Sequence, residues 1–443
     1  MTQILRRSLR LALMVVAPIL ALALALASAG AGRAQDAAQP PPPIATAPSE
    51  TPPAPPPPAQ TAPRPPGVEV TTLAAPDAFT TPGRDTGLPA TLWRGASAKT
   101  VKAVLPLLAT KTLSPAGAAL ARRVLATGAP GPAGIGDDPG VVAARAEALL
   151  VQGDPRAAAA ILSRAPGIDR NADLAHAAAE SALLAGDDAR ACTVAQGLGS
   201  GRDDVYWLRL RTYCQALAGH TDQAQLTFDL AQTQARDPVF GRLMSAKISG
   251  VGNPGAASLR NGLDLALSRS LGLDVDAGKP APEVAAALSK GDPEPPTFDP
   301  AAFGPDIAPA VQQIVDGKPV TYGAFMSVMN GIANTPKAPN RAASAALLIM
   351  ALGDLSAANA SDQLEDWAVP EGRAPVGRNI ALDAAADRKL AGEAALLALW
   401  ACADAGPAGP AIGDRIRIVR ALHLVGLEPE ARAFALEGLL SLK

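Results

Sequence analysis

Glycine recurs at a fixed step of 33 residues: Gly153, Gly186, Gly219 and Gly252. Five residues after each stands an alanine: Ala158, Ala191, Ala224 and Ala257. A period in this range marks stacked helical repeats, in which each unit buries its apolar face only against its neighbours. The register therefore predicts a surface built from paired helices rather than a catalytic pocket.

The residues between the glycines support helix pairs. Val141 to Gln152 is rich in Ala and Leu and holds no Pro or Gly, so it loses little on entering a helix. Gly153 supplies a left-handed residue to end it. Asp154 can accept from the free amides of the next helix, and Pro155 suits its first turn. That second helix should run to about Ala165, where Pro166-Gly167 stops it. The next units read Leu183 to Asp187 then Ala189 to Ala195, and Ala216 to Gly219 then Thr221 to Ala235. The fourth reads Ile248 to Pro254, with a second helix expected from Ala256 to Leu267. Seven residues before each glycine the side chain is small: Ala146, Ala179, Thr212 and Ser245. Nine residues after it stand Leu162, Ala195, Phe228 and Asn261, and Asn261 does not fit a gap between helices.

These units resemble the tetratricopeptide (TPR) family. The shared residues are Ala146, Gly153-Asp154 and Ala158, then Ala179, Gly186-Asp187 and Ala191. The third unit keeps Gly219 and Ala224 but has His220 where Asp is usual. The resemblance covers about residues 140 to 270. It departs in period, 33 here against 34 in the family, and in lacking most first-helix aromatics. It implies an all-α, TPR-like helical-repeat solenoid, placed here over residues 92–290, with a concave surface for peptides or proteins and no chemistry.

The N-terminal ninety residues read differently. Residues 1–34 have the pattern of a signal peptide: Arg6, Arg7 and Arg10, then an apolar run from Leu11 to Ala27, then Ala27-Ser28-Ala29. An uncleaved membrane anchor is the alternative, since the run is at the short edge for a span. From Pro40 to Pro66, 14 of 27 residues are proline. Such a tract cannot form helix or sheet and prefers polyproline II, reaching roughly 80 Å when extended. Residues 35–91 are therefore expected to be a disordered Pro-rich spacer, with order starting near Leu92-Trp93.

Beyond the repeats, Ala281 to Ser289 suits a short helix and residues 291–305 read as a linker. Residues 306–443 form an expected C-terminal helical domain. Its candidate helices are Ile307 to Val315, Thr321 to Ile332, Asn340 to Gly353, Asp362 to Trp367, Ile380 to Ala403 and Ala411 to Val425. The end repeats the earlier spacing, with Gly426 and Ala431, then Phe434, Leu436 and Leu439. Arg415, Arg417 and Arg420 read as a solvated basic edge of one helix, or as a basic binding site in the sharper reading.

A net charge of −2 and 3% aromatic residues over 443 residues exclude a basic nucleic-acid footprint and stacking platforms for bases or sugars. The three histidines, His176, His220 and His423, lie far apart without ligand-type neighbours. No cofactor or metal is expected. Cys192 and Cys214 fall on helices that neighbouring units stack, so a disulfide and two buried thiols both suit the spacing, with Cys402 left unpaired. Glu180-Ser181 resembles the Glu-Ser pair of lytic transglycosylases, whose glutamate protonates a glycosidic oxygen. The further motifs of those enzymes are missing, so Glu180 is expected to be a solvent-facing helix residue.

The expected function is an exported, periplasmic scaffold that is not an enzyme and binds a protein partner in an envelope assembly. One alternative is an enzyme accessory or lytic transglycosylase-like protein of cell-wall metabolism. Another is a membrane-anchored structural envelope protein, touching the membrane only through its N-terminal segment.

Overall fold

The computed structural model describes residues 76–289, 295–333, 338–353 and 371–442. The expected signal peptide, the proline tract and the helix at Asp362 to Trp367 lie outside them. Eighteen α-helices and no strand occur among the described residues, so the chain is all-α.

Ser97 opens α1 (Ala98–Leu108) and Ser114 opens α2 (Pro115–Ala126), each accepting an amide from the first turn. Two helix pairs follow, α3 (Pro139–Val151) with α4 (Pro155–Leu162) and α5 (Ala172–Ala185) with α6 (Asp188–Gly197). A third pair joins α7 (Val205–Leu217) and α8 (Thr221–Gln234). Then come α9 (Pro238–Ser249), α10 (Gly262–Ser270) and α11 (Pro282–Leu288).

The C-terminal part contributes α12 (Ala308–Val315), α13 (Tyr322–Ala333) and α14 (Ala338–Met350). The last four helices are α15 (Val376–Asp387), α16 (Ala391–Ala405), α17 (Ile412–Leu424) and α18 (Glu428–Ser441). One helix was expected from Ile380 to Ala403, and two are found. The break falls at Lys389, whose φ of 58° is left-handed, and Leu390 N–H closes back onto Ala385 O. A left-handed residue with a side chain carries no glycine to announce the stop.

Two hydrophobic clusters hold the helices. The larger runs from Ala78 to Leu439 and draws on α1–α4 and on the C-terminal helices alike, crossing the expected 291–305 linker. The smaller lies among α5–α10, around Trp207, Tyr213, Phe240 and Met244. α5 serves both. Its Leu174, Ala177 and Ala178 face the first cluster, while Ala175, Ala179 and Leu183 face the second. A helix apolar on nearly every side must be buried on nearly every side.

Polar contacts tie the two ends of this fold together. Glu393 in the first turn of α16 accepts the amide of Ser97 and the hydroxyl of Thr100, both at 2.8 Å. Glu437 of α18 accepts the Ala116 amide at the start of α2 at 2.8 Å. Arg123 of α2 pairs with both oxygens of Glu430, at 2.7 and 2.8 Å. Carboxylates at helix N-termini satisfy orphan amides and complement the helix dipole.

The tail of the expected spacer, residues 76–91, is packed rather than loose. Phe79 is fully buried, with its ring 4.7 Å from Trp93 and the Arg145 guanidinium 5.1 Å above it. Arg145 is itself fully buried and donates to the carbonyls of Leu125, Ala78 and Thr127 at 2.7, 2.9 and 3.0 Å. Burial pulls its pKa down to about 9, partly opposed by Asp77. An aromatic residue in a stretch of Thr, Pro and Gly suffices to dock the segment, although nothing there forms a helix.

Candidate functional site

Each glycine of the register has a left-handed φ: 83° at Gly153, 80° at Gly186, 77° at Gly219 and 103° at Gly252. Asp154 and Asp187 then cap α4 and α6, accepting from Ala157 and Arg190 amides at 3.1 and 3.0 Å. His220 stands at the same place before α8 and makes no side-chain cap. Ala158, Ala191 and Ala224 are fully buried, and so are the small residues Ala146, Ala179 and Thr212 on the first helix of each pair.

The fourth unit breaks this pattern. α9 ends at Gly250, Gly252 follows, and the chain stays non-helical from Gly252 to Asn261. The expected helix from Ala256 to Leu267 is replaced by α10, which begins six residues later. Asn261 explains the shift, because its extended backbone ends the loop and its side chain accepts the Asp264 amide at 2.8 Å. Ala257 is only partly buried, in the loop. α10 leaves α8 aside and packs on α5 and α9. Ser245, the counterpart of the buried Ala146, Ala179 and Thr212, is exposed.

An open groove of about 710 Å³ therefore runs between α8 and α9, with Ser245 in its wall. Phe228 and Gln232 line it from α8, Arg236 from the turn, and Gly241 and Arg242 from α9. The Phe228 ring lies 6.1 Å from Phe240, which anchors that wall to the smaller core. Leu226 and Leu230, one turn apart on α8, are 74% and 54% exposed, while Ala224 and Ala231 make its packed face. Thr233, also in the groove, continues the stripe of Leu226 and Leu230 at helical spacing.

Charges of both signs line the groove: Asp229 and Asp237 beside Arg236 and Arg242. Asp237 is matched by Arg209 at 3.4 Å and Arg260 at 2.9 Å. The hydrogen bonds from Arg260 and the Phe240 amide outweigh burial and hold Asp237 below the usual carboxylate range. Arg236 has no partner among the described residues. Arg242 gives Nη2 to Ala256 O at 2.9 Å and leaves Nη1 buried without an acceptor. Sequence reasoning missed both arginines. The visible signals were Asn261 in an apolar register and Gly250 where the other units have Val or Leu.

Glu180 is not solvent-facing. It is 7% exposed, with Oε1 accepting the Tyr206 hydroxyl at 2.9 Å and Oε2 the Gly262 amide at 2.7 Å. Burial raises its pKa, opposed by His176 and the two hydrogen bonds. Both oxygens serve the fold: they join α5 to α7 and to the N-terminus of α10. A side chain at Gly262 would strike this carboxylate, with a Cβ 2.7 Å from Oε2. His176 packs its ring 4.2 Å from Tyr206 and meets Glu147 at 3.2 Å.

Cys192 of α6 and Cys214 of α7 form a disulfide with Cα atoms 5.6 Å apart. Cys402 is free and buried, and burial pushes its thiol pKa up. His220 is exposed, and His423 lies 2.8 Å from Glu428. Of the expected basic edge, Arg420 is exposed and Arg417 pairs with Asp383, but Arg415 is buried in the core and pairs with Glu437. Among the described residues no group of His, Cys, Asp and Glu is placed to hold a metal ion, and no helix is long and apolar enough to cross a membrane.

Comparison with protein families, with curated proteins and with solved structures finds no match to this chain.

Proposed function

We propose that the chain is an exported, periplasmic scaffold, a TPR-like array that binds a protein partner at the α8–α9 end. The exposure of Ser245 carries this reading. At the three equivalent positions the residue is sealed by a helix pair, and here a small residue, Ser245, opens onto a groove. Leu226 and Leu230 on the adjoining stripe add apolar surface of the kind that protein partners cover. The 33-residue register and the N-terminal sequence supply the repeat and export parts of the proposal.

The test is a photo-crosslinking residue placed at Ser245 in living cells. A discrete adduct with one envelope protein, absent when the same residue replaces exposed Arg420, is the expected result. No adduct from Ser245, or equal adducts from both positions, would overturn the reading.

A further inference from the structure

We infer that the chain pairs with a second copy of itself along the outer face of α8, antiparallel and about a two-fold axis. This goes beyond the scaffold reading, which concerns the groove beside that face.

The residues of α8 sort by face. Ala224 and Ala231 are buried on the side where its neighbours are α7 and α9. Gln223, Leu226, Leu230 and Thr233 are all exposed and follow one another at steps of three, four and three. That is the spacing of a coiled-coil seam, here two apolar layers between two polar ones. Leu226 and Leu230 are the two most exposed leucines among the described residues, at 74% and 54%. A helix with no further partner would carry polar residues on this face.

The stripe is its own counterpart. Leu226 and Leu230 stand two positions either side of Phe228, and Gln223 and Thr233 stand five. A two-fold axis at that midpoint sets Leu226 against Leu230 of the second copy, and Gln223 against its Thr233. Each pairing then occurs twice, as an isologous interface requires. The Gln amide and the Thr hydroxyl can hydrogen-bond across the outer layers.

Charge sets the direction. The seam has opposite charges at its two ends: Asp222 in the first turn of α8 and Arg236 just past its last. Both are exposed, and neither has a partner among the described residues. Antiparallel pairing brings the Asp222 end of each copy to the Arg236 end of the other. Parallel pairing would set Asp222 on Asp222 and Arg236 on Arg236. Asp229 lines the groove and accepts from Gln225 at 2.9 Å, so its approach to the second copy's Asp229 falls at the rim. Exposed ion pairs of this kind choose orientation more than they add affinity.

The experiment uses the full chain in analytical ultracentrifugation and in disulfide trapping. A reversible monomer–dimer equilibrium is expected, because a seam this short belongs to the weak class of interfaces. Leu226→Glu with Leu230→Glu, both at exposed positions, should leave a monomer with unchanged circular dichroism. Asp222→Arg should weaken the dimer about threefold or more, and adding Arg236→Asp should restore it. For the geometry, Gln223→Cys and Thr233→Cys proteins are oxidised separately and as a mixture. The mixture should give a linked dimer, and each protein alone should not. The native cysteines stay out of this readout, since Cys192 and Cys214 are bridged and Cys402 is buried. A chain that stays monomeric, a dimer that survives the two glutamates, a charge swap that restores nothing, or equal linking of either cysteine protein alone overturns the inference. A monomer that still gives the Ser245 adduct in cells would leave the scaffold reading standing and sink only the dimer. A linked dimer with no adduct would do the opposite.

Discussion

Glu180 Oε2 accepts the Gly262 amide at 2.7 Å across 82 residues of chain, and this contact fixes where α10 begins. It holds α10 against α5, leaving the α8–α9 groove open. Without it, the amide of Gly262 and the hydroxyl of Tyr206 would both be buried donors lacking an acceptor.

Glu180→Ala should therefore destabilise the fold by about 1–3 kcal/mol from the unpaired donors alone. Glu180→Gln should be milder, because a carboxamide oxygen can accept from Gly262 while its NH₂ donates to the Tyr206 oxygen. Urea midpoints of the two variants check the order. An alanine variant as stable as the glutamine one would show that the contact is incidental.

Stability should fall as pH rises from mildly acidic to neutral. The folded pKa of Glu180 is raised, so its favourable share is complete below the ordinary carboxyl range and is lost as pH rises through the folded value. His176 acts in the same direction. Burial disfavours its charged ring, but the hydrogen bond it donates to Glu147 and the charge of Glu180 win, and its pKa rises above 6.5. Its share is complete below 6.5 and is lost above the folded value. Thermal melts across this range should show the decline, and Glu180→Gln with His176→Gln should flatten it.

Arg145→Lys should be far from conservative. The guanidinium reaches three carbonyls at once from a fully buried position. One ammonium cannot reproduce that fork, so a loss of about 1–3 kcal/mol is expected, with the 76–80 segment loosened first. Protease cleavage near Phe79 that is no faster in the variant would contradict this.

The cysteines give a direct count. Cys402 is buried and the other two are bridged, so the native chain should show no titratable thiol, the denatured chain one, and the denatured and reduced chain three. Reduction should lower stability by about 3 kcal/mol, on the loop-entropy scale for a separation of this size. The loss should show as loosening of α7–α9 in hydrogen exchange.

Local chemistry was legible in the sequence and distant partnership was not. The turns at Gly153, Gly186 and Gly219 are written in adjacent residues, because a left-handed residue and a capping side chain need only their neighbours. Glu180 looked like a surface residue because its two partners come from α7 and α10. Arg415 looked solvated for the same reason, its carboxylate lying 22 residues away on α18. The α15–α16 break escaped notice because Lys389 takes a conformation usually reserved for glycine. The fourth unit was misread: Asn261 did not fit the register, yet a helix was expected straight through it, and its neighbours do not show where α10 goes.

Helices α1 and α2 are finished by residues made roughly 300 positions later. Ser97 waits for Glu393 across 296 positions, and Ala116 waits for Glu437 across 321. During synthesis, the opening helices are thus complete in sequence long before their closing contacts exist, and their apolar faces have no lasting cover. Long-range wiring of this kind slows folding and leaves α1 and α2 exposed while the later helices are made, and a truncation that removes Glu393 and Glu437 would injure the first helices as well as the last.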